Sequence, residues 1–443
     1  MTDNFLLKRG EEGAPARPVT AKELLSLSGV KILGVNPPVL DFAFMDLWSK
    51  PLGLLYLLQS MKQNSSVRLL DCVALGAVGD KGFGRRKIKK TETGKPEIYK
   101  AIPRRYSRFG LTAAETAAAL AKEERPDIIF VTSGMTYWYP GVEQVIKELR
   151  EAFPEVPIAL GGIYASLCPE HASAIGADWL VQAGSEPAAP FPAMELYGRP
   201  SYGIIMTSFG CPFSCRYCAS SVLWPRYRRR SLDEVLAEVD YQVKLGALDF
   251  AFYDDALLLE KESFFYPLCH ELKSRYEGRL RLHTPNGLHV RQIDGRCAET
   301  LMESGFKTIR LSLESVDPKV EHDSSDKVSQ REYATAVKNL HAAGYSSEDC
   351  ETYILLGLPG QNLQSVKATI AFARENGGTP KLAEFSPIPG TPYFEEAARK
   401  LPELRKEPLL QNNSVYCSFF SDEISPEELQ QLKDLARLQS PAR

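Results

Sequence analysis

Three cysteines crowded into one short stretch are the sharpest chemical signal in this sequence. Cys211, Cys215 and Cys218 follow the spacing C-x-x-x-C-x-x-C. The chain has 9 cysteines in 443 residues, so a given three-cysteine spacing would arise by chance only about 0.004 times. Thiolates bind iron in iron–sulfur clusters, and short spacings let one loop wrap around a cluster. The motif therefore predicts a 4Fe–4S cluster held by this loop.

The number of cysteines in the loop bears on what the cluster does. An electron-transfer 4Fe–4S cluster usually has four cysteine ligands, whereas this loop supplies three. One iron would then lack a cysteine, and an open metal position allows catalysis on a coordinated substrate. Two other interpretations stay open. The loop could be a structural zinc site, although zinc fingers usually show two pairs of ligands, or an electron-transfer cluster completed by the distant Cys417 or Cys350.

The cysteine loop directly follows the first strand of a regular α/β series. Strands are predicted at 201–210, 249–257, 280–288, 308–316, 350–358 and 381–389, and helices at 231–246, 263–275, 296–305, 331–344 and 362–377. Ser231 and Asn362 are suitable N-cap residues for two of these helices. Six strands with five intervening helices predict a partial (β/α) TIM-like barrel, in which the chemistry lies where strands run into the following loops.

An earlier series of strands and helices predicts a second α/β domain. Strands are predicted at 31–39, 67–75, 127–133, 157–162 and 179–184, with helices at 51–63 and 141–153 among them. This alternation implies right-handed crossovers and a doubly wound, Rossmann-like parallel sheet. In such sheets a ligand usually binds at the carboxyl ends of the strands.

The two series define the domain boundaries that we expect. Residues 1–25, which contain Pro15 and Pro18, are predicted to be an N-terminal arm. The Rossmann-like domain is predicted over 26–190 and the barrel over 200–395, joined by a stretch rich in Ala and Pro. A helical tail is predicted over 396–443, with a helix at 426–439.

Composition excludes several classes of protein. Hydrophobic residues are 44% and charged residues 25% of the chain, and the formal net charge is −3. These values are normal for a folded globular protein. The slightly negative net charge argues against a nucleic-acid substrate. There is no apolar run of the ~18 residues that span a bilayer, and the charged N-terminus does not have the form of a signal peptide. We therefore expect a cytoplasmic protein that does not bind membranes.

The cysteine motif, with an aromatic residue before its last cysteine and a position after the first strand of a parallel barrel, resembles the radical S-adenosylmethionine (SAM) superfamily. The resemblance implies that the open iron chelates the amino and carboxylate groups of SAM. An electron from the cluster would then cleave the sulfonium to methionine and a 5′-deoxyadenosyl radical. A cellular reductant such as flavodoxin or ferredoxin would supply the electron.

The same resemblance implies a set of SAM-binding residues at the strand ends. They are Tyr217, Asp254, Asp255, Ser312, Glu314, Gly357 and Pro359. The tyrosine would lie near the adenine, and one of the two aspartates would hold the SAM amino group, although the family's commoner Gly-Gly-Glu is absent. The serine and glutamate would bind the ribose or the methionine moiety, and the Gly-Leu-Pro-Gly backbone would approach the adenine. For each position the alternative is ordinary strand-end turn chemistry.

The stretches 126–142, 157–172 and 176–187 resemble the cobalamin-binding domain that is fused to many radical SAM proteins. Small residues at the strand ends would make room for the macrocycle and its nucleotide tail. They are Ser133, Gly134, Gly161, Gly162 and Gly184. The D-x-H-x-x-G signature that supplies a histidine to cobalt is missing, so a bound cobalamin would lack that ligand.

The sequence as a whole predicts a radical SAM enzyme with a 4Fe–4S cluster, SAM and cobalamin as cofactors. With cobalamin bound, the resemblance favours methyl transfer. Without it, the expectation is hydrogen abstraction by the deoxyadenosyl radical, followed by rearrangement or bond formation. The hypothesis from a different class is a non-catalytic Fe–S protein for electron transfer or sensing. No sequence feature selects a substrate.

Overall fold

The chain folds into two compact units. The structure is a computed structural model that describes residues 5–11, 13–181, 188–325, 327–421 and 423–438. The first unit comprises residues 1–199 together with 403–412, and the second comprises 200–402 and 413–443. Among the described residues, no helix is both long and apolar enough to cross a bilayer.

The first unit is built on a parallel sheet with helices on both faces. Its strands are β1 (Arg17–Val19), β2 (Lys31–Asn36), β3 (Val39–Asp41), β4 (Ser66–Asp71), β5 (Ala77–Asp80), β6 (Arg86–Ile88), β7 (Lys90–Glu92), β8 (Ser107–Phe109), β9 (Ile128–Val131), β10 (Ile158–Leu160) and β11 (Trp179–Val181). Its helices are α1 (Ala21–Leu25), α2 (Leu52–Met61), α3 (Cys72–Leu75), α4 (Ala113–Leu120), α5 (Tyr139–Ala152), α6 (Ile163–Leu167) and α7 (Pro169–Ser173). The six-stranded sheet has the order β1-β11-β10-β9-β2-β4, and every pairing in it is parallel.

Alternating apolar residues bury both faces of this sheet. Leu33 and Ile129 belong to the hydrophobic cluster on one face, whereas the adjacent Ile32, Ile128 and Phe130 belong to the cluster on the other face. Successive side chains of a strand point to opposite faces, so a continuous apolar run requires cover on both sides. The predicted doubly wound α/β fold is thus confirmed.

Two parts of the first unit differ from the predictions. The expected N-terminal arm is partly regular structure, because β1 pairs with β11 at the sheet edge and Leu24 of α1 is buried. Pro18 is compatible with this strand, since proline is tolerated in edge strands. The segment between β4 and α4, where no strand is predicted, contains the antiparallel hairpin β5–β6, and the strands β7 and β8 extend an antiparallel sheet with β3.

The second unit is an open parallel sheet, each long strand of which is followed by a helix. Its strands are β12 (Gly203–Ile205), β13 (Ser208–Phe209), β14 (Arg228–Arg229), β15 (Asp249–Phe252), β16 (Arg281–His283), β17 (Leu288–His289), β18 (Phe306–Glu314), β19 (Cys350–Leu356) and β20 (Thr379–Glu384). Its helices are α8 (Ser220–Leu223), α9 (Leu232–Lys244), α10 (Tyr266–Tyr276), α11 (Gly295–Glu303), α12 (Pro318–Asp323), α13 (Gln330–Ala342), α14 (Leu363–Glu375), α15 (Pro392–Lys400) and α16 (Pro426–Arg437).

The strands of this sheet lie side by side in the order in which they occur along the chain. The order is β12-β15-β16-β18-β19-β20, with β17 also paired to β18. The end strands β12 and β20 each pair on one side within this order, so the sheet is not closed, in agreement with the predicted partial barrel. Its helices begin where the sequence indicates. Ser231 forms a capping box with Glu234 at the start of α9, and the Asn362 side chain accepts a hydrogen bond from the Gln364 amide at the start of α14.

Candidate functional site

The cysteine loop leaves the barrel at β13 and returns on β14. These two short strands pair antiparallel, Ser208 with Arg229 and Phe209 with Arg228, and so close the base of the loop. Gly210 has φ +74°, and a Cβ there would lie 2.9 Å from the Arg226 carbonyl oxygen. Only glycine fits this turn without strain, and the turn directs the chain into the first cysteine.

A second segment, the turn after α12, holds the loop from the other side. The Arg216 amide donates to the Asp323 carbonyl over 2.9 Å. The Ser214 amide donates to Ser325 Oγ over 3.1 Å. Cys215 Sγ lies 3.3 Å from the Ser324 carbonyl oxygen. These contacts order the cysteine loop through the protein backbone.

The cysteine loop, three strand termini and the segment after α12 surround one pocket in the second unit. The residues that line it are Cys211, Phe213, Cys215, Tyr217, Cys218, Asp255, Asn286, Gly287, His289, Ser312 and Lys327. They come from the cysteine loop, the ends of β15 and β18, the start of β17 and the segment after α12. All three cysteines that the motif singles out therefore face the same space.

The three cysteines can supply the ligands of an iron–sulfur cluster. Within the described ranges, no three His, Cys, Asp or Glu side chains are gathered as a site for one metal ion requires. A zinc site needs its ligands on one centre, whereas in a cluster each cysteine binds a different iron. Three cysteines on one loop that is held by hydrogen bonds match the ligand set of a 4Fe–4S cluster.

The structure separates the two adjacent aspartates. Asp255 lines the pocket and accepts a hydrogen bond from Ser220 Oγ over 2.5 Å. Asp254 is buried and is not among the lining residues. It accepts hydrogen bonds from the Thr207 amide and hydroxyl and from the Ser208 hydroxyl. Asp255 is thus placed to bind a ligand, while Asp254 ties β12 to β15.

The basic run after the cysteine loop is largely structural. Arg229 forms an ion pair with Asp254, with 3.6 Å between Nη1 and Oδ1, and its Nη2 donates to the Leu259 carbonyl over 2.8 Å. Arg230 is 4% exposed and forms an ion pair with the fully buried Glu238. These two guanidinium groups therefore stabilise the barrel wall beside the pocket.

Ser312 and Gly287 form one side of the pocket through a close approach. Ser312 lies in β18, opposite His289 of β17. A Cβ at Gly287 would lie 2.2 Å from Ser312 Oγ. A side chain at that position would force the Ser312 hydroxyl to rotate away, so glycine here lets the hydroxyl keep its orientation at the pocket.

Gly287→Ala should therefore perturb the pocket locally. Overpacking of this kind costs about 1–3 kcal/mol, so we expect the thermal midpoint of the second unit to fall by several degrees and SAM to bind at least ~10-fold more weakly. Gly295→Ala is the matched control, because a Cβ there meets nothing within 4 Å. Calorimetry and equilibrium dialysis with SAM would measure both effects. Equal behaviour of the two variants would contradict this account of Gly287.

Glu314 and Lys327 form a buried ion pair at the edge of the pocket. Lys327 Nζ lies 2.9 Å from Glu314 Oε1, and both side chains are 9% exposed. Burial disfavours the charged lysine, but the facing Glu314 carboxylate raises the pKa of Lys327 well above its ordinary value. Lys327 lines the pocket and Glu314 is not among the lining residues. The sequence analysis missed Lys327, which has no motif around it.

The Gly-Leu-Pro-Gly turn after β19 is shaped by a cysteine. A Cβ at Gly357, where φ is +79°, would lie 2.2 Å from Cys417 Sγ. Neither Gly357 nor Pro359 is among the residues that line the pocket. Cys417 Sγ packs against the carbonyls of Leu356, Gly357 and Phe385. The glycine is therefore required by packing at this turn.

Two further residues of the pocket are aromatic or imidazole groups. Phe213 and His289 meet edge to face, with ring centroids 4.8 Å apart. Burial lowers the pKa of His289 to about 4, so its imidazole is neutral near pH 7. The pair gives the pocket an uncharged wall.

Four of the five predicted cobalamin-binding residues lie together in the first unit, at the edge of the sheet that is formed by the carboxyl ends of the strands. Ser133 Oγ donates to the Gly161 carbonyl over 2.6 Å, and a Cβ at Gly162 would lie 2.3 Å from the Ser133 carbonyl oxygen. A Cβ at Gly134 would lie 2.9 Å from the Trp138 ring. These small residues are thus required by the protein's own close contacts. Gly184 lies outside the described residues.

The same edge also offers an exposed apolar surface. Met135 follows β9 and is 45% exposed, and Ile163 follows β10 and is 39% exposed. Large exposed apolar side chains beside exposed glycine backbone can be covered by a broad, flat ligand. The residues present at this edge therefore fit a macrocycle such as cobalamin.

A cavity of about 450 Å³ in the first unit is larger than the cysteine-lined pocket of about 140 Å³. The hydrogen-bond donors of the arginine in this cavity are, however, already paired with protein groups. Its buried Arg108 donates to Glu148, Gln144, Thr116 and the Leu111 carbonyl. A guanidinium has five N–H groups, and these bonds use all of them. Size alone is therefore a poor guide here, and the cysteine-lined pocket is the candidate site.

Two family profiles match the chain. The Radical SAM superfamily matches residues 205–373, which include the cysteine loop and the pocket. The B12 binding domain matches residues 107–190, which include the glycine edge of the first unit. The two matches confirm the resemblance that the sequence analysis drew for each domain.

Two curated relatives of the chain are named as methyltransferases. The chain is 25% identical to the uncharacterized methyltransferase PH0819 of Pyrococcus horikoshii over 410 residues, which cover 83% of each protein. It is 29% identical over 201 residues to the bacteriochlorophyllide d C-12(1)-methyltransferase of Chlorobaculum tepidum. This match covers 43% of this chain and 42% of the relative. The chain thus matches less than half the length of the second relative.

Solved structures share the fold at low identity. TsrM from Kitasatospora setae, a radical SAM methyltransferase solved with cobalamin and a [4Fe-4S] cluster, aligns with a TM-score of 0.58 and 17% identity, covering 84% of this chain and 78% of that chain. The cobalamin-dependent radical enzyme OxsB aligns with a TM-score of 0.55 and 14% identity, covering 87% and 57%.

Proposed function

This chain belongs to the radical SAM superfamily, in the branch that carries an N-terminal cobalamin-binding domain, and from that premise we propose that it is a cobalamin-dependent methyltransferase. The observation that carries the proposal is the pocket that Cys211, Cys215 and Cys218 share with Asp255 and Ser312, in a chain that also matches the B12 binding domain. The names of its relatives support methyl transfer.

Within the pocket we assign roles to this chain's own residues. The three cysteines would hold the cluster, which supplies the electron for reductive cleavage of SAM. Asp255, a carboxylate held by Ser220, would bind the SAM ammonium group through a charge-assisted hydrogen bond. The hydroxyl of Ser312 would bind the ribose or methionine part, and Tyr217 would pack on the adenine. Phe213 and the neutral His289 would exclude water from one wall.

At the edge of the first unit, Ser133, Gly134, Gly161 and Gly162 would hold cobalamin, whose cobalt carries a methyl group when charged. The exposed Met135 and Ile163 would cover part of the macrocycle. The sequence has no D-x-H-x-x-G motif, so none of these residues would ligate the cobalt. Their role would be binding and orientation only.

The test is anaerobic reconstitution of the full chain with iron and sulfide, followed by reaction of the reduced protein with SAM, with and without hydroxocobalamin. We expect formation of 5′-deoxyadenosine, retention of cobalamin absorbance after gel filtration, and S-adenosylhomocysteine once a methyl acceptor is supplied. An intact cluster with SAM cleavage and no retained cobalamin would contradict methyl transfer. That result would favour the second candidate, cobalamin-independent hydrogen abstraction.

Two finer points belong to the same proposal. The electron would come from a small cellular carrier of the flavodoxin or ferredoxin class, and the protein would act in the cytoplasm. Reduction of the cluster by purified flavodoxin, followed by loss of its EPR signal on addition of SAM, would test the first point. Lack of reduction by either carrier, with dithionite as the positive control, would contradict it.

A further inference from the structure

Lys327 introduces a buried positive charge beside the three cysteines. Among the described residues that line the pocket, it is the single lysine or arginine. Its Nζ lies 5.7 Å from the centre of the Tyr217 ring, in the loop between Cys215 and Cys218. The turn that precedes it binds the cysteine loop directly, through the Ser324 carbonyl and Ser325 Oγ. Its position relative to the loop is therefore set by the fold.

Glu314 has an unusual backbone conformation, and its side chain faces this lysine. It ends β18 with φ +65°, and the strand pairing shifts register between Ser312 and Glu314. A left-handed conformation is unfavourable for a residue with a side chain. The result is that Ser312 lines the pocket while Glu314, two residues later, contacts Lys327. This geometry gives Glu314 a positioning role toward the lysine.

A charged side chain beside the three cysteines changes how readily a bound cluster accepts an electron. Three thiolates give a 4Fe–4S cluster a net negative charge, and reduction adds one electron without making or breaking a bond. The added charge is more costly in a partly desolvated pocket than in water. A fixed cation nearby stabilises the reduced form more than the oxidised form, and a nearby anion has the opposite effect. Buried charges are among the means by which a protein sets a cluster potential.

We propose that the Lys327–Glu314 pair sets the reduction potential of the cluster, with Lys327 supplying the charge and Glu314 both positioning and attenuating it. The inference rests on the proposed cluster site. The two residues have opposite effects because their charges are opposite, and Lys327 has the larger effect because it lines the pocket whereas Glu314 does not. The electron enters from the external carrier, and neither residue gains or loses a proton in the step.

The test measures the cluster without SAM. Wild type, Lys327→Met, Glu314→Gln and the double variant are reconstituted as full chains, and the midpoint potential is read by EPR during a dithionite titration with mediators. We expect Lys327→Met to lower the reduced fraction at a fixed ambient potential on the order of tenfold, a shift of about 59 mV for a one-electron couple. Glu314→Gln should shift the potential in the opposite direction. Lys338→Met, at an exposed lysine of α13, is the control and should match wild type.

The double variant keeps the test informative if Lys327→Met misfolds, because replacing both members of a buried ion pair is often neutral for stability. Its potential should fall below that of wild type but above that of Lys327→Met. Unchanged potentials, or shifts of the same sign in the two single variants, would overturn the inference while leaving the proposed function intact. A wild type that takes up no iron would instead remove the proposed cluster site itself.

Discussion

Cys215→Ala should abolish both the cluster and the cleavage of SAM. Cys215 is 9% exposed and lies at the centre of the three-cysteine spacing. Its loss would leave two thiolates for a cluster that needs three, and the site has no other thiol among its described lining residues. We expect iron content after reconstitution to fall from about four per chain to near zero, and 5′-deoxyadenosine to be undetectable. Iron analysis, the absorbance near 400 nm and the product assay would measure this.

Cys417→Ser is the matched control and also tests the rival function. An electron-transfer cluster would need a fourth ligand, for which Cys417 and Cys350 were the candidates. Cys417 is buried against three carbonyls. Cys350 begins β19, three residues before Tyr353, which pairs with the pocket residue Ser312, so it lies about 10 Å along the strand from the level of the pocket. We expect Cys417→Ser to keep its cluster and its SAM cleavage. Loss of the cluster in this variant would favour the electron-transfer protein.

Asp254→Ala and Asp255→Asn should have different consequences although the residues are adjacent. Asp254 is fully buried and paired with Arg229, so its removal leaves an unpaired buried guanidinium and two unsatisfied hydroxyl groups. Breaking a buried pair of this kind costs about 3–5 kcal/mol. The free energy of unfolding of the second unit should fall by that amount, which lowers its thermal midpoint on the order of 10 °C. Differential scanning calorimetry would measure it.

Asp255→Asn should leave stability almost unchanged and act on SAM. Asp255 is exposed to the pocket, and the asparagine can still accept the hydrogen bond from Ser220. A hydrogen bond to a charged group contributes about 1.5–3 kcal/mol, so SAM affinity should fall roughly 10- to 100-fold. Equilibrium dialysis of the reconstituted variant would test this. If Asp254→Ala weakened SAM binding without destabilising the fold, the assignment of the two aspartates would be reversed.

The adjacent aspartates show where sequence reasoning stops. Successive residues at a strand end point to opposite sides, so the sequence alone indicates that one of Asp254 and Asp255 faces the ligand. Which one does so depends on the position of β15 between its neighbours. Ser312 and Glu314, two residues apart, would share one face of a regular strand, and the register shift between them in β18 leaves only the serine among the residues that line the pocket.

Other features had no signal in the sequence. Lys327 lies 109 residues after Cys218 in the chain and reaches the pocket because the turn after α12 packs on the cysteine loop. The hairpin β5–β6 consists of strands of only four and three residues, which are too short to show the apolar alternation that makes strands predictable. Residues 403–412, expected in a tail, pack within the first unit, where Asn412 Nδ2 donates to Asp41 Oδ1 over 2.9 Å.

The sequence by itself determined the fold class and the chemistry of this protein, because both depend on patterns of residues that are close together in the chain. Apolar runs that alternate with amphipathic helices specify parallel sheets, and three cysteines within one loop specify a cluster wherever the loop lies. Only the tertiary structure decided which side chains share the pocket. Residues such as Asp255, Gly287, Ser312 and Lys327 meet through strand register and a long-range turn, and those depend on the packing of the whole barrel.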